Sequence, residues 1–133
     1  MRTIALRLRP GADLKAELLA LAARERIRAG WMLTCVGSMS RVRLRLASGT
    51  EHATWQGPFE IVALTGTLSQ DGGHLHLAVA DQRGRTVGGH LAEGCTVRTT
   101  AEVVVAADDR LLFAREHDPA TGYDELVVRE RDP

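Results

Sequence analysis

The chain has 133 residues, of which 44% are hydrophobic and 26% charged, and its 17 basic and 17 acidic side chains give a formal net charge of zero. This length and composition are typical of one globular domain that buries a core of its own. The balanced charge excludes a protein whose overall charge attracts nucleic acid or an anionic membrane.

The two cysteines, Cys35 and Cys95, lie in apolar segments, and neither has a second cysteine at metal-binding spacing. They are typical of small buried thiols in a reducing compartment. The first segment, MRTIALRLRPG, is too interrupted by arginine for a signal peptide, and no apolar run approaches the roughly 18 residues of a membrane span. We therefore expect a cytoplasmic protein that does not enter a membrane.

The first predicted element is a strand, in which Ile4, Leu6 and Leu8 alternate with smaller or charged residues. A Pro-Gly pair ends this strand, and Asp13 is a suitable N-cap for a helix. Leucines then recur at helical spacing, so we predict one main helix over about residues 13–26.

The rest of the chain has the pattern of strands. In chain order these predicted strands are GWMLTCVGSM, RVRLRLA, FEIVALTGTLS, HLHLAVA, TVGGHL, CTVRTTAEVVVAA, RLLFARE and ELVVRE. A glycine inside one of them, Gly66, indicates a bulge or a close approach of two backbones. About eight or nine strands and one helix predict the α+β class. We expect a single domain over residues 1–133, with a mostly antiparallel sheet that curls toward a barrel.

The strand RVRLRLA carries three arginines, Arg41, Arg43 and Arg45, which alternate with apolar residues. Such a trio can form a basic patch for nucleic acid. The alternation favours the simpler interpretation, a strand whose charged face lies in water.

Two histidines alternate with leucines in the strand HLHLAVA. Because side chains at i and i+2 lie on one face of a strand, His74 and His76 point to the same side, beside two small alanines. Leu75, Leu77 and Val79 point to the other side, and we expect them in the core.

A third histidine, His90, follows the turn DQRGR, and its face depends on the length of that turn. A two- or four-residue loop places His90 opposite Leu77, on the leucine side. A three- or five-residue loop places it opposite Ala78, on the histidine side, as a diagonal neighbour of His76. A bulge at the Gly-Gly pair before His90 moves His90 to the opposite face of the sheet in either case.

Three neutral imidazoles around one ion, with a fourth position open, form the arrangement of catalytic zinc sites. His74, His76 and His90 are therefore candidate ligands of Zn²⁺ or another divalent metal. Two alternatives stay open: a polar strand face, and a histidine-lined contact between subunits. His52 and His117 are expected at the surface, without a role.

The segment from Gly57 to Val105, GPFEIVALTGTLSQDGGHLHLAVADQRGRTVGGHLAEGCTVRTTAEVVV, resembles the PPC domain, the plant and prokaryote conserved domain. The likeness extends to LRPGADLKAELLALAARERIRAGWMLTCVGSMSRVRLR before it and to DPATGYDELVV after it, so it covers nearly the whole chain. Its most specific parts are the glycines and the Phe-Glu-Ile, His-x-His and Gly-Gly-His motifs.

The resemblance implies a domain that assembles as a homotrimer. It also implies a fold shared with acetolactate decarboxylase, in which a His-x-His pair and a later histidine hold zinc. By that likeness His74, His76 and His90 are the expected metal ligands. Bacterial members of the family are commonly described as DNA-binding, a description that comes from the plant AT-hook nuclear proteins.

The chain departs from the family pattern at two places. The AT hook of the plant proteins has an Arg-Gly-Arg-Pro core, whereas RGRT at Arg83 to Thr86 has only three of these four letters and lies in a predicted turn, where glycine is needed. Pro58 replaces the arginine of the plant Gly-Arg-Phe-Glu-Ile-Leu segment, which puts in doubt any partner contact that needs this arginine.

Glu60 is a candidate catalytic residue, because it alternates with Phe59 and Ile61 and a carboxylate near a metal can act as a general acid or base. The alternative is a surface glutamate, or one that pairs with an arginine of the RVRLRLA strand.

These observations support a trimeric, metal-binding PPC-domain protein that serves as a regulatory or DNA-associated module without an AT hook. The alternative is a zinc-dependent enzyme that acts on a small oxo- or hydroxy-acid, for which a pocket with further polar groups over the metal is needed. Direct DNA binding is disfavoured by the neutral charge, the missing AT hook and the few aromatic residues, and any DNA association is expected to be weak or indirect. The sequence identifies neither the metal nor a small-molecule ligand.

Overall fold

A computed structural model describes residues 1–132, and in them one helix and eight strands form. The elements are β1 (Arg2–Leu8), α1 (Leu14–Arg24), β2 (Gly30–Arg45), β3 (His52–Ser69), β4 (Gly72–Ala80), β5 (Thr86–Leu91), β6 (Thr96–Ala107), β7 (Leu111–Asp118) and β8 (Tyr123–Glu130).

The main sheet has six strands in the order β1-β6-β2-β3-β4-β5, whereas β7 and β8 form a separate two-stranded sheet. All pairings are antiparallel. The end of β2 also pairs with β5, with Leu44 opposite Leu91 and Arg45 opposite His90. This second pairing joins β2, β3, β4 and β5 into a ring, so the sheet is curled toward a barrel. The predicted α+β class is confirmed.

The predicted helix is confirmed as α1, with Asp13 as its N-cap. The Asp13 carboxylate accepts a hydrogen bond from the Ala16 N–H at 3.0 Å, which satisfies one of the free amides of the first turn. Its other oxygen accepts from the Gly94 N–H at 2.8 Å and ties the helix start to the chain before β6. The helix buries its apolar stripe in the core through Leu14, Leu18, Leu21 and Ala22.

The core face of β4 is the one that alternation predicts. Leu75, Leu77 and Val79 are at most 2% exposed, so they belong to the core. The other face of β4, which carries His74 and His76, is therefore directed away from it.

One strand replaces two that the sequence predicts. GWMLTCVGSM and RVRLRLA are both part of β2, whose pairing with β3 shifts register between Met39 and Arg41. Such bulges bend a strand. The bend lets the first part of β2 pair with β6 and its last residues with β5. This long strand therefore brings Arg45 to the histidines.

Cys35 and Cys95 are buried and free, as predicted. Burial raises the pKa of the Cys35 thiol to about 11, so it is protonated at neutral pH. Within residues 1–132 we find no helix that is both long and apolar enough to cross a membrane.

Candidate metal centre

The β4–β5 hairpin brings His90 to the face of His74 and His76. The strands leave a loop of five residues, 81–85, and pair His76 directly with His90. The Asp81 carboxylate accepts hydrogen bonds from the N–H groups of Arg83 and Arg85, both at 2.9 Å, and so centres the loop on Arg83. An odd loop was one of the predicted alternatives. The expected pairing of His90 with Ala78 is wrong by two residues. It requires a loop centred on Gly84, whereas the loop is centred on Arg83.

The three imidazoles converge on a space the size of one ion. One ring nitrogen from each of His74, His76 and His90 can be chosen so that all three lie within 4.8 Å of one another. The ring centroids are 5.0 Å apart for His74 and His76, 5.3 Å for His74 and His90, and 5.7 Å for His76 and His90. His74 and His76 are exposed and His90 is half-buried, so the cluster is accessible from solvent.

Neighbouring strands surround the histidines with polar and small residues. Thr65 of β3 lies opposite His76, and Thr67 lies opposite His74. Beside this polar row a row of small residues crosses three strands, namely Ala63 of β3, Ala78 of β4 and Gly88 of β5. The small row leaves open space next to the imidazoles.

Two of the three imidazoles, those of His74 and His90, have lowered pKa values that keep them neutral at physiological pH. Desolvation lowers the pKa of His90 to about 4, and the positive charge of Arg45 adds to this effect, followed by the neighbouring histidines and Lys15. Desolvation also lowers the pKa of His74, with contributions from His76 and Arg115 and a small one from Arg45, whereas the negative charge of Glu125 opposes the shift. A neutral imidazole has the lone pair that a metal ligand needs.

Arg45 belongs to the same site, which the sequence did not indicate. It lies opposite His90, and its Nη2 is 3.4 Å from Nδ1 of that ring. The expectation of a charged strand face in water is therefore wrong for Arg45, which is half-buried because β2 closes onto β5. A second arginine, Arg115 of β7, donates from Nη2 to Oγ1 of Thr67 at 3.0 Å.

Two open depressions border the histidines. The larger, of about 570 Å³, is lined by His76, His90, Arg45, Thr65 and Tyr123, with small and apolar residues between them. The smaller, of about 380 Å³, is lined by His74 and His90, both arginines of the site, and the acidic residues Asp71, Asp124 and Glu125. The further polar groups around the histidines thus come from β2, β3, β7 and β8 and from the turn before β4.

Glu60 lies at a distance from the histidines. It pairs with Ala80, four residues beyond His76 on β4, which is roughly 13 Å along the strand. Its side chain is exposed, and none of the ion pairs within residues 1–132 involves it. Its catalytic role stays a prediction. His52 and His117 are exposed, as expected.

The backbones of β3 and β4 approach closely next to the histidine cluster. Gly66 of β3 has φ +140°, and a Cβ atom at this position would lie 1.9 Å from the carbonyl oxygen of His74. Only glycine fits here. Of the two interpretations of Gly66, the structure shows the close approach.

Fold and site together define a small α+β domain that carries a histidine triad on one face of a curled antiparallel sheet. The Plants and Prokaryotes Conserved (PCC) domain matches residues 1–108, and the chain belongs to this family. This membership confirms the resemblance to the PPC domain.

Among curated proteins, the chain is similar to the bifunctional protein GlmU of Synechococcus sp. (strain JA-3-3Ab). The two are 51% identical over 130 residues, which cover 98% of this chain and 21% of that protein. The chain therefore spans about a fifth of the length of this relative.

Three solved structures are similar to the whole fold. A hypothetical protein from Salmonella enterica is 43% identical, with a TM-score of 0.95 over 98% of this chain and 94% of that one. A protein from Bacteroides thetaiotaomicron, provisionally described as DNA-binding, is 22% identical, with a TM-score of 0.84 over 94% and 91%. A metal-containing protein from Archaeoglobus fulgidus is 22% identical, with a TM-score of 0.73 over 96% and 94%.

Proposed function

We propose that His74, His76 and His90 bind one divalent metal ion, with Zn²⁺ as the first candidate. In this proposal the domain is a metal-dependent regulatory module that works as a homotrimer. The observation that carries the proposal is the convergence of three ligand nitrogens within 4.8 Å.

The donor set fits zinc. Zinc–nitrogen bonds of about 2.0–2.1 Å place the nitrogens of a tetrahedral site about 3.4 Å apart. The ring nitrogens therefore need to move together by roughly 1 Å or a little more, and two of the three side chains, His74 and His76, are exposed. Their lowered pKa values keep His74 and His90 in the neutral form that binds metal. The metal content described for the Archaeoglobus fulgidus protein is further support, although that likeness is of fold.

Metal analysis of wild type and His76→Ala tests the proposal. Purified wild type is expected to hold about one zinc per chain after zinc loading and desalting, and His76→Ala is expected to lose at least nine-tenths of it, because two imidazoles hold the ion far less tightly than three. His117→Ala removes an exposed histidine outside the cluster and serves as the matched control. Equal zinc in wild type and His76→Ala would contradict the proposal.

The proposed regulatory role includes DNA association through a partner rather than through this domain alone. The description of the Bacteroides thetaiotaomicron structure supports an association with DNA. The formal charge of zero gives no general attraction to phosphate. The Arg83-Gly84-Arg85 sequence is held in the β4–β5 loop by Asp81, and Thr86 already belongs to β5. It is thus part of a folded turn rather than an extended arm of the kind that enters a minor groove.

A second candidate function is zinc-dependent catalysis on a small oxo- or hydroxy-acid. The observation that favours it is the depression of about 570 Å³, where Arg45, Thr65 and Tyr123 stand beside His76 and His90. Such a pocket beside a metal with an open position can hold a substrate. Within this candidate function, Glu60 is the proposed general acid or base. Its distance from the histidines argues against this role.

A further inference from the structure

We infer that a metal ion bound by the histidine triad fastens the β7–β8 hairpin over the triad, through attraction to the Glu125 carboxylate of the hairpin. The hairpin is then the element whose order depends on whether the metal is bound. The inference rests on the proposed metal site, since it names how that site acts on the rest of the domain.

Few hydrogen bonds join the hairpin to the rest of the domain. β7 and β8 form a sheet of their own, so no ladder of backbone hydrogen bonds ties them to the six-stranded sheet. From β7, the Phe113 N–H donates to the Arg28 carbonyl oxygen at 2.9 Å, and Arg115 donates to Thr67. Within residues 1–132, no hydrogen bond and no ion pair joins β8 to an element other than β7. A segment held in this way opens at a low cost in free energy.

The strand β8 nevertheless brings carboxylates to the triad. His74 and His90 line the smaller depression, and on its hairpin side this depression is lined by Asp124 and Glu125. An oxygen of Asp124 lies 3.8 Å from Nδ1 of His117, so its charge has a partner. Glu125 is half-buried, and none of the ion pairs within the described part of the chain includes it. Its carboxylate is therefore free to attract a cation at the triad.

The charge of Glu125 already acts on the ring of His74. Desolvation and nearby positive charges lower the pKa of His74, whereas the negative charge of Glu125 opposes this shift. Glu125 thus stabilises a single positive charge on this imidazole. It stabilises a divalent ion beside the imidazole more strongly, because the Coulomb energy rises in proportion to the charge.

The charges of the whole hairpin favour the same contact. Its strands have two basic side chains, Arg115 and Arg129, and five acidic ones, namely Glu116, Asp118, Asp124, Glu125 and Glu130. Arg115 lines the smaller depression and opposes the attraction, but the acidic side chains outnumber the basic ones. Arg45, the other arginine of that depression, belongs to β2 and does not move with the hairpin. A divalent ion at the triad therefore attracts the hairpin.

Hydrogen–deuterium exchange of backbone amides tests the inference, on metal-free and zinc-saturated samples whose zinc content is measured. Zinc should slow exchange in residues 123–130 of wild type about fivefold, because the attraction makes opening of the hairpin rarer. Glu125→Gln should keep its zinc, which the three imidazoles hold, and show a slowing of less than about twofold. Glu130→Gln removes an equal charge roughly 17 Å further along β8 and should respond as wild type does.

A second variant, Thr67→Val, keeps every charge and removes the acceptor that holds Arg115. Metal-free Thr67→Val should exchange its β8 amides faster than metal-free wild type, and zinc should restore most of the protection. This variant keeps the test decisive if Glu125→Gln does not fold. Wild type that holds zinc without slower exchange in β8, or equal slowing in wild type and Glu125→Gln, would overturn the inference and leave the metal proposal standing. Wild type without zinc would overturn both.

Discussion

At the scale of single residues, the site depends on His74 and His90, whose pKa values are lowered by burial and by nearby positive charges. His90 is the most affected, because it is half-buried and faces Arg45 across the β2–β5 pair. Its lowered pKa reduces the free energy of unfolding at acid pH. Between its ordinary value of 6.5 and its folded value of about 4, the unfolded chain binds a proton that the folded chain does not. The folded state with neutral His90 therefore has its full stability above pH 6.5. Part of that stability is lost as the pH falls toward 4, because protonation of His90 then favours the unfolded chain.

We therefore predict that His90→Gln makes the metal-free protein less sensitive to acid. From pH 7 to pH 4.5, wild type should lose about 1–2 kcal/mol more of its free energy of unfolding than the variant does, an amount reduced from the full pKa shift because the ring is partly in water. Urea unfolding at both pH values, with a chelator present, measures the difference. Equal losses in the two proteins would show that His90 has no depressed pKa.

At the scale of elements, alternation along a strand decided which side chains face the core, and it placed His74 and His76 on the other face correctly. It could not decide the face of His90. That depends on the loop 81–85, where Asp81 accepts two backbone hydrogen bonds and so centres the turn. Arg45 was beyond prediction for a different reason. Its place in the site follows from the closure of β2 onto β5, a contact between residues 45 positions apart in the chain.

The pairing of β3 with β4 yields a prediction about Gly66. Gly66→Ala should lower the free energy of unfolding by about 3 kcal/mol, because the new Cβ would collide with the His74 carbonyl oxygen in a backbone conformation that alanine rarely adopts. Gly84→Ala is the control: this loop glycine also has a positive φ but has nothing within 4 Å of its Cβ position, so it should cost only about 1 kcal/mol. Urea denaturation compares the two. An equal cost for both variants would mean that the backbones of β3 and β4 are not in close contact.

At the scale of the whole molecule, the surface has apolar side chains that a monomer leaves in water. Leu33 and Val36 of β2 and Val62 of β3 are each more than half exposed. Apolar side chains on adjacent strands are typical of a surface that another chain covers. They are the candidate contact of the homotrimer that the family resemblance implies.

Sedimentation equilibrium tests this assembly. Wild type should have three times the 14.5 kDa mass of one chain, and Val62→Asp should shift it toward the monomer, because a carboxylate would be buried without a partner at the contact. Val128→Asp changes an equally exposed valine on β8 and should leave the mass unchanged. A wild-type mass of one chain would contradict the trimer.

The location of the metal is the most direct test of the proposed function. Crystals of the zinc-loaded protein, measured on both sides of the zinc absorption edge, yield an anomalous difference map that shows each zinc ion. The predicted result is one strong peak per chain, about 2.0–2.1 Å from a ring nitrogen of each of His74, His76 and His90. A map with no peak between these three rings, or with zinc held by other residues, would contradict it.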